Sequence, residues 1–250
     1  MEVKAVKPKE KFRISGDWPG TKSKITKELV GVIFEIVESF FGKKLPCTVL
    51  ITNFPTANNP IAYYAMKDGC YQVNLSVKFG TSWCQIAYQL AHELCHLNSN
   101  YAASIGHKYK WFEESLCEMC SVAVLTALSK QWNKVAVYKY NKNYAAEIKK
   151  YVDSLNSVTG FMPGDKSTYN AWLTANTEEL EKNSTNRELN GVTANYLYRN
   201  LFRDHPESWI CVGMLNQWNC HENSSFAEFK KSWRKSCRDS FEINRILNIL

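Results

Sequence analysis

The segment Ala91–Asn100 reads AHELCHLNSN and holds His92, Glu93 and His96 in the order H-E-x-x-H. On a helix turning about 100° per residue, His92 and His96 lie about 40° apart around the axis and one turn apart along it, so both imidazoles can reach one ion. Glu93 lies about 60° from His96, off the ion but close enough to contact a water on it. Neutral imidazoles are good zinc ligands, and a catalytic zinc keeps three protein ligands and an open position for water. Zinc lowers the pKa of that water, and a carboxylate can take its proton. The ordinary alternative is a pair of histidines on a solvated helix face. The chain holds five histidines, and chance alone gives this pattern on the order of 1% of the time, so the chemical reading is preferred.

Two histidines do not close a site. The metzincin arrangement places a histidine six residues after His96 with a glycine between. Those positions hold Ala102 and Ser99, which excludes it. The remaining sources of a third ligand are His107, in the loop that follows, and a glutamate on a later helix. Trp111–Glu118, WFEESLCE, offers such a glutamate.

H-E-x-x-H followed by a helix that opens W-x-x-E-[GS]-L-[AC] resembles the gluzincin metallopeptidases, the clan that includes thermolysin. The likeness runs from Ala62 to Val124, with Ser115 and Cys117 where Gly and Ala are more usual. It implies a zincin-like α+β fold and hydrolysis of a peptide or protein substrate. It implies one Zn²⁺ held by His92, His96 and Glu114, with Glu93 as general base. Glu118, one turn after Glu114, would then hydrogen-bond His92 and fix its tautomer. The preceding strand, Tyr71–Val77, would be a sheet edge along which an extended peptide pairs, through Tyr71, Val73 and Leu75. Such enzymes also use a tyrosine or histidine at the oxyanion. His107 and Tyr109 are the first candidates, with Tyr196, Tyr198 and His205 behind them, and none sits in a matching motif.

Glu113 competes with Glu114 as the third ligand. Glu114 and Glu118 share a helix face, whereas Glu113 sits about 100° away, nearer the side that gathers Leu116, Met119, Ala123 and Ala127. The family pattern favours Glu114. A zincin fold kept as a binding or regulatory module, its metal closed by a fourth protein ligand such as Cys95 or His107, is the alternative function.

Several elements must position these groups. Thr21–Phe41 has apolar residues mostly at steps of three and four and reads as a helix stopped at Gly42. Pro46–Thr52 reads as a strand and Asn53–Pro60 as a loop. Ile61–Val77 reads as a β-hairpin turning at Asp68-Gly69. Ser82 with Gln85 fits a capping box for the helix carrying the histidines, which runs to about Leu97. Trp83, Ile86, Leu90, Leu94 and Leu97 form a stripe on that helix opposite His92 and His96. A second apolar helix spans Trp111 to about Trp132. Tyr144–Leu155, Thr168–Leu180, Arg187–Phe202, Ser208–Gln217 and Phe226–Leu250 complete a helical remainder, the last capped by Ser225 with Glu228. Segregated strands and helices predict an α+β fold. We expect a small antiparallel or mixed sheet with an edge strand beside the H-E-x-x-H helix. One domain spans 1–250, with an α/β lobe over about 12–98 and a helical lobe over about 99–250. The first dozen residues read as a solvated arm.

The chain is 45% hydrophobic, enough for a sizeable core. Its net charge of +7 comes with no nucleic-acid-binding signature, so no nucleic-acid partner is expected. Lys231, Arg234, Lys235 and Arg238 form a basic helix face opposite Phe226, Phe229, Trp233, Cys237 and Phe241; solvation is the default for such a face. The nine cysteines are irregularly spaced. Cys117 and Cys120 fall within an apolar helix and read as buried thiols, and Cys95 as packing. The polar, basic start MEVKAVKPKEKFR carries no export signal, and no apolar run approaches the ~20 residues of a membrane span. Cytoplasmic residence is expected, with signal-independent export left open.

Overall fold

The computed structural model describes residues 10–100, 108–158, 160–217 and 224–250. Apolar side chains of Ser23–Phe41 (α1) recur on one face, and Leu29, Ile33, Ile36 and Val37 are buried there. The helix stops where Gly42 takes a left-handed φ of 61°, a conformation that costs glycine nothing.

Phe12–Gly16 (β1), Val49–Asn53 (β2), Ile61–Ala62 (β3) and Tyr71–Leu75 (β4) form a mixed sheet in the order β1-β2-β4-β3. β1, β2 and β4 run parallel, and β3 is antiparallel to β4, with Ala62 opposite Val73. The hairpin turns as expected: Lys67 and Cys70 exchange backbone hydrogen bonds of 2.9 and 2.8 Å. Between them Asp68 and Gly69 both have positive φ, 50° and 68°, the twist that matches a two-residue hairpin.

The sheet order corrects one expectation. Tyr71–Leu75 is not an edge strand, because β2 pairs with one side of it and β3 with the other. Val73 and Leu75 are fully buried and Tyr71 is half-buried. The hairpin folds its short first arm onto the outside of the second, so β3 is the edge. β1 is a second correction, since the sequence suggests only a solvated arm up to residue 12. Phe12 alone is buried there, and its partner Val49 is distant in sequence, so no local alternation marks the strand.

Trp83–Asn98 (α2) and Lys110–Lys130 (α3) pack against each other at the centre. The proposed Ser82 capping box does not form, since Ser82 makes no side-chain cap. The Cys84 N–H instead donates to the Tyr144 hydroxyl at 3.2 Å, so a distant side chain satisfies that first-turn amide. Tyr144–Val158 (α4) and Arg187–Leu197 (α6) flank α3. Lys166–Lys182 (α5) follows the helical expectation, whereas the helix expected over Ser208–Gln217 is reduced to the single turn Trp209–Val212 (α7).

The terminal helix divides into Phe226–Ser236 (α8) and Phe241–Ile249 (α9). Ser225 and Glu228 form the expected capping box. Arg238 and Asp239 then turn through positive φ, and Ser240 caps α9 afresh. That break leaves Phe241, expected on the apolar face, 66% exposed. Buried apolar side chains from Phe12 to Leu250 belong to one continuous cluster. The result is an α+β architecture with a small mixed sheet and a mostly helical remainder. Among the described residues, no helix is long and apolar enough to cross a membrane.

Candidate metal centre

Every residue of α2 from Trp83 to Asn98 except Gln85 is buried. The helix is enclosed on all sides, and its polar residues must be satisfied by protein groups or an ion. His92 and His96 are 9% and 7% exposed, which removes the reading of a histidine pair on a solvated face.

α3 brings carboxylates to both rings. His92 Nε2 is 3.1 Å from one oxygen of Glu114, and His96 Nε2 is 3.6 Å from the other. Zinc bonds of 2.0–2.2 Å at tetrahedral angles put donor atoms about 3.4 Å apart. The observed separations lie on either side of that value, so the donor set fits a zinc ion in spacing and chemistry.

Glu113 serves a different purpose. It is 1% exposed and accepts from His96 Nδ1 at 2.7 Å. Asn216 Nδ2 donates to its other oxygen at 2.9 Å, and Ser99 Oγ adds a longer contact of 3.4 Å. Holding the Nδ1 proton there turns the Nε2 lone pair of His96 toward Glu114. Glu118, the expected partner of His92, lies 3.9 Å from its Nδ1, a charge contact longer than a hydrogen bond. Arg187 Nε stands 4.0 Å from that same oxygen, and the other Glu118 oxygen accepts from the Tyr88 hydroxyl.

His92, His96 and Cys117 also form a cluster within metal-binding distance, their candidate ligand atoms all within 4.8 Å of one another. Two groups on α3 therefore compete for the third position. Cys117 is fully buried, and burial pushes its thiol well above the ordinary range; a bond from Cys95 works against this, but the Glu113 and Glu114 charges add to it. Glu114 instead reaches both Nε2 atoms and faces a cavity. We favour Glu114 on those grounds. Cys95, Cys117 and Cys120 are mutually close, fully buried thiols, as expected for core cysteines. The described cysteines are all free; Cys220 lies outside the described residues.

The cavity has a volume of about 570 Å³. His92, Glu93, His96 and Glu114 form one wall, and Ile61, Ala62 and Tyr64 of the hairpin form another. Lys110, Glu118, Arg187 and Asn190 are among the other lining residues. Burial raises the Glu93 carboxyl above its ordinary value, partly offset by His92, His96 and a bond from the Ala62 N–H. Burial opposes charge on His92 and His96, but hydrogen bonds and charges from Glu114, with Glu118 at His92 and Glu113 at His96, outweigh it and raise both. Burial also opposes ionisation of Glu114, yet the two imidazoles hold it well below the carboxylate range. Four carboxylates thus face two imidazoles in a largely buried space, a donor set able to hold a cation.

Among the described residues, none of the expected oxyanion candidates lines the cavity. His107 lies outside the described residues. Tyr109 is buried and donates to the Ser224 carbonyl at 2.7 Å. Tyr196 donates to the Ile249 carbonyl at 2.9 Å, and His205 stands against Glu207 and Arg245. Tyr198 is likewise absent from the cavity walls, where Tyr64, Lys110 and Arg187 are the larger hydrogen-bond donors. Sequence reasoning missed Tyr64; its signal is a place two residues beyond the true edge strand. No known protein family, curated protein or solved structure matches the chain.

Proposed function

We propose that this protein is a zinc-dependent peptidase of gluzincin type. His92, His96 and Glu114 would hold the ion. Zinc, when bound, supplies an acidified water and polarises the substrate carbonyl. Glu93 would take a proton from the attacking water and pass it to the leaving amine. The Ala62 N–H orients the Glu93 carboxylate from the neighbouring strand. Glu113 and Asn216 hold the His96 ring in one tautomer. An extended peptide would lie along β3 rather than β4, because the β3 backbone borders the cavity. The observation that carries this reading is the spacing of two imidazole Nε2 atoms on one carboxylate, beside Glu93, on the wall of an open cavity. In the zinc-loaded full chain, Glu93→Gln should keep zinc and lose hydrolysis of fluorescence-quenched peptides. Unchanged hydrolysis in that variant refutes the mechanism.

Cys117 favours a second reading, a zincin-like binding module whose metal is closed by a fourth protein ligand. Under it, Cys117→Ser weakens metal binding and no peptide is cut.

A further inference from the structure

Amide hydrolysis needs a donor where negative charge develops, and a preorganised one in a confined site is worth much more than water. Two cavity groups meet across its opening. Tyr64 follows β3, and Lys110 opens α3 one turn before Glu114. Lys110 Nζ donates to the Tyr64 phenol oxygen at 2.5 Å and lies 5.2 Å from the ring centroid. Burial works against the Lys110 charge, but Tyr64 and the Glu114 and Glu113 carboxylates keep it above its ordinary value. A phenol oxygen that accepts from an ammonium must point its own proton elsewhere. The ammonium also makes that proton a stronger donor. The third donor, Arg187, faces Glu118 and is largely exposed.

Resting on the peptidase reading, we infer that Tyr64, held and polarised by Lys110, is the catalytic residue that donates to the substrate oxyanion. As the water oxygen bonds to the carbonyl carbon, the C=O π pair moves onto the carbonyl oxygen, which accepts from the Tyr64 O–H. The pair returns as the C–N bond breaks, while Glu93 carries the water's proton to the leaving nitrogen. Tyr64 keeps its proton throughout. Lys110 is a positioning residue, acting through the phenol.

The test uses the zinc-loaded full chain, its Tyr64→Phe and Lys110→Met variants, and fluorescence-quenched peptides. Tyr64→Phe should lower kcat by roughly 10²-fold or more with KM nearly unchanged, as removal of one oxyanion donor does. Zinc content and the circular dichroism spectrum should not change. Lys110→Met should lower kcat less, and the double variant should be no worse than Tyr64→Phe, because the pair acts as a unit. A phosphonate peptide, which mimics the tetrahedral state, should lose affinity in parallel with kcat/KM, whereas a product peptide should not. A Tyr64→Phe enzyme with kcat within about threefold of wild type, or with only KM raised, overturns this inference alone. A zinc-loaded wild type that cuts no peptide overturns the peptidase reading and this inference with it.

Discussion

Two cavities of similar size teach different things. The larger, about 670 Å³, lies between α1 and the end of α3 and includes Glu28, Glu35 and Lys134. The smaller, about 570 Å³, holds the candidate metal centre. In the larger, Glu35 is exposed and Glu28 pairs with Lys139 at 3.0 Å. α1 buries one face and leaves its charges to water. α2 has no such face, so His92, Glu93 and His96 must find partners inside the protein. Volume does not distinguish the two spaces; convergence of buried donors does.

The largest effect should separate them at once. His92→Ala should abolish zinc binding and hydrolysis together, measured by metal analysis and peptide cleavage on one preparation. Glu93→Gln should keep zinc and lower kcat by about 10²–10⁴-fold, the range for a general base. Glu113→Gln should weaken zinc binding by about 10–100-fold in a competitive chelator titration, because it loosens the His96 ring without removing a ligand.

A pH effect should follow from the same groups. In the metal-free chain, Glu114 and its neighbours raise the folded-state values of His92 and His96. A raised base contributes stability that is complete below its unfolded value, about 6.5, and is lost as pH rises through the folded value. The thermal midpoint of the metal-free chain should therefore fall as pH increases above about 6.5. Zinc should remove that dependence and release protons at neutral pH, visible by calorimetry in buffers of different ionisation enthalpy. Smallest of all, Glu35→Gln in the larger cavity should leave zinc binding and hydrolysis unchanged and shift stability by less than about 0.5 kcal/mol. An effect there as large as that of Glu113→Gln would erase the contrast between the cavities.

Local patterns were readable in the sequence, and distant pairings were not. The H-E-x-x-H spacing, the stripe from Trp83 to Leu97 and the Asp68-Gly69 turn depend on residues within one or two turns of chain. β1 depends on a parallel partner beyond α1, and the edge role of β3 depends on which arm of a hairpin lies outermost. Glu113 looked like part of an apolar helix side. Its carboxylate is instead held by His96 and by Asn216, 103 positions away, which no helical projection reveals. Tyr64 becomes meaningful only once Lys110 is seen across the opening.

The ligand set is tested most directly by X-ray absorption at the zinc edge of the zinc-loaded chain. The account predicts nitrogen and oxygen neighbours at about 2.0–2.2 Å and no sulfur, from His92, His96, Glu114 and water. A sulfur neighbour at about 2.3 Å would place Cys117 on the ion and contradict the assignment of Glu114 as the third ligand of an open, catalytic site.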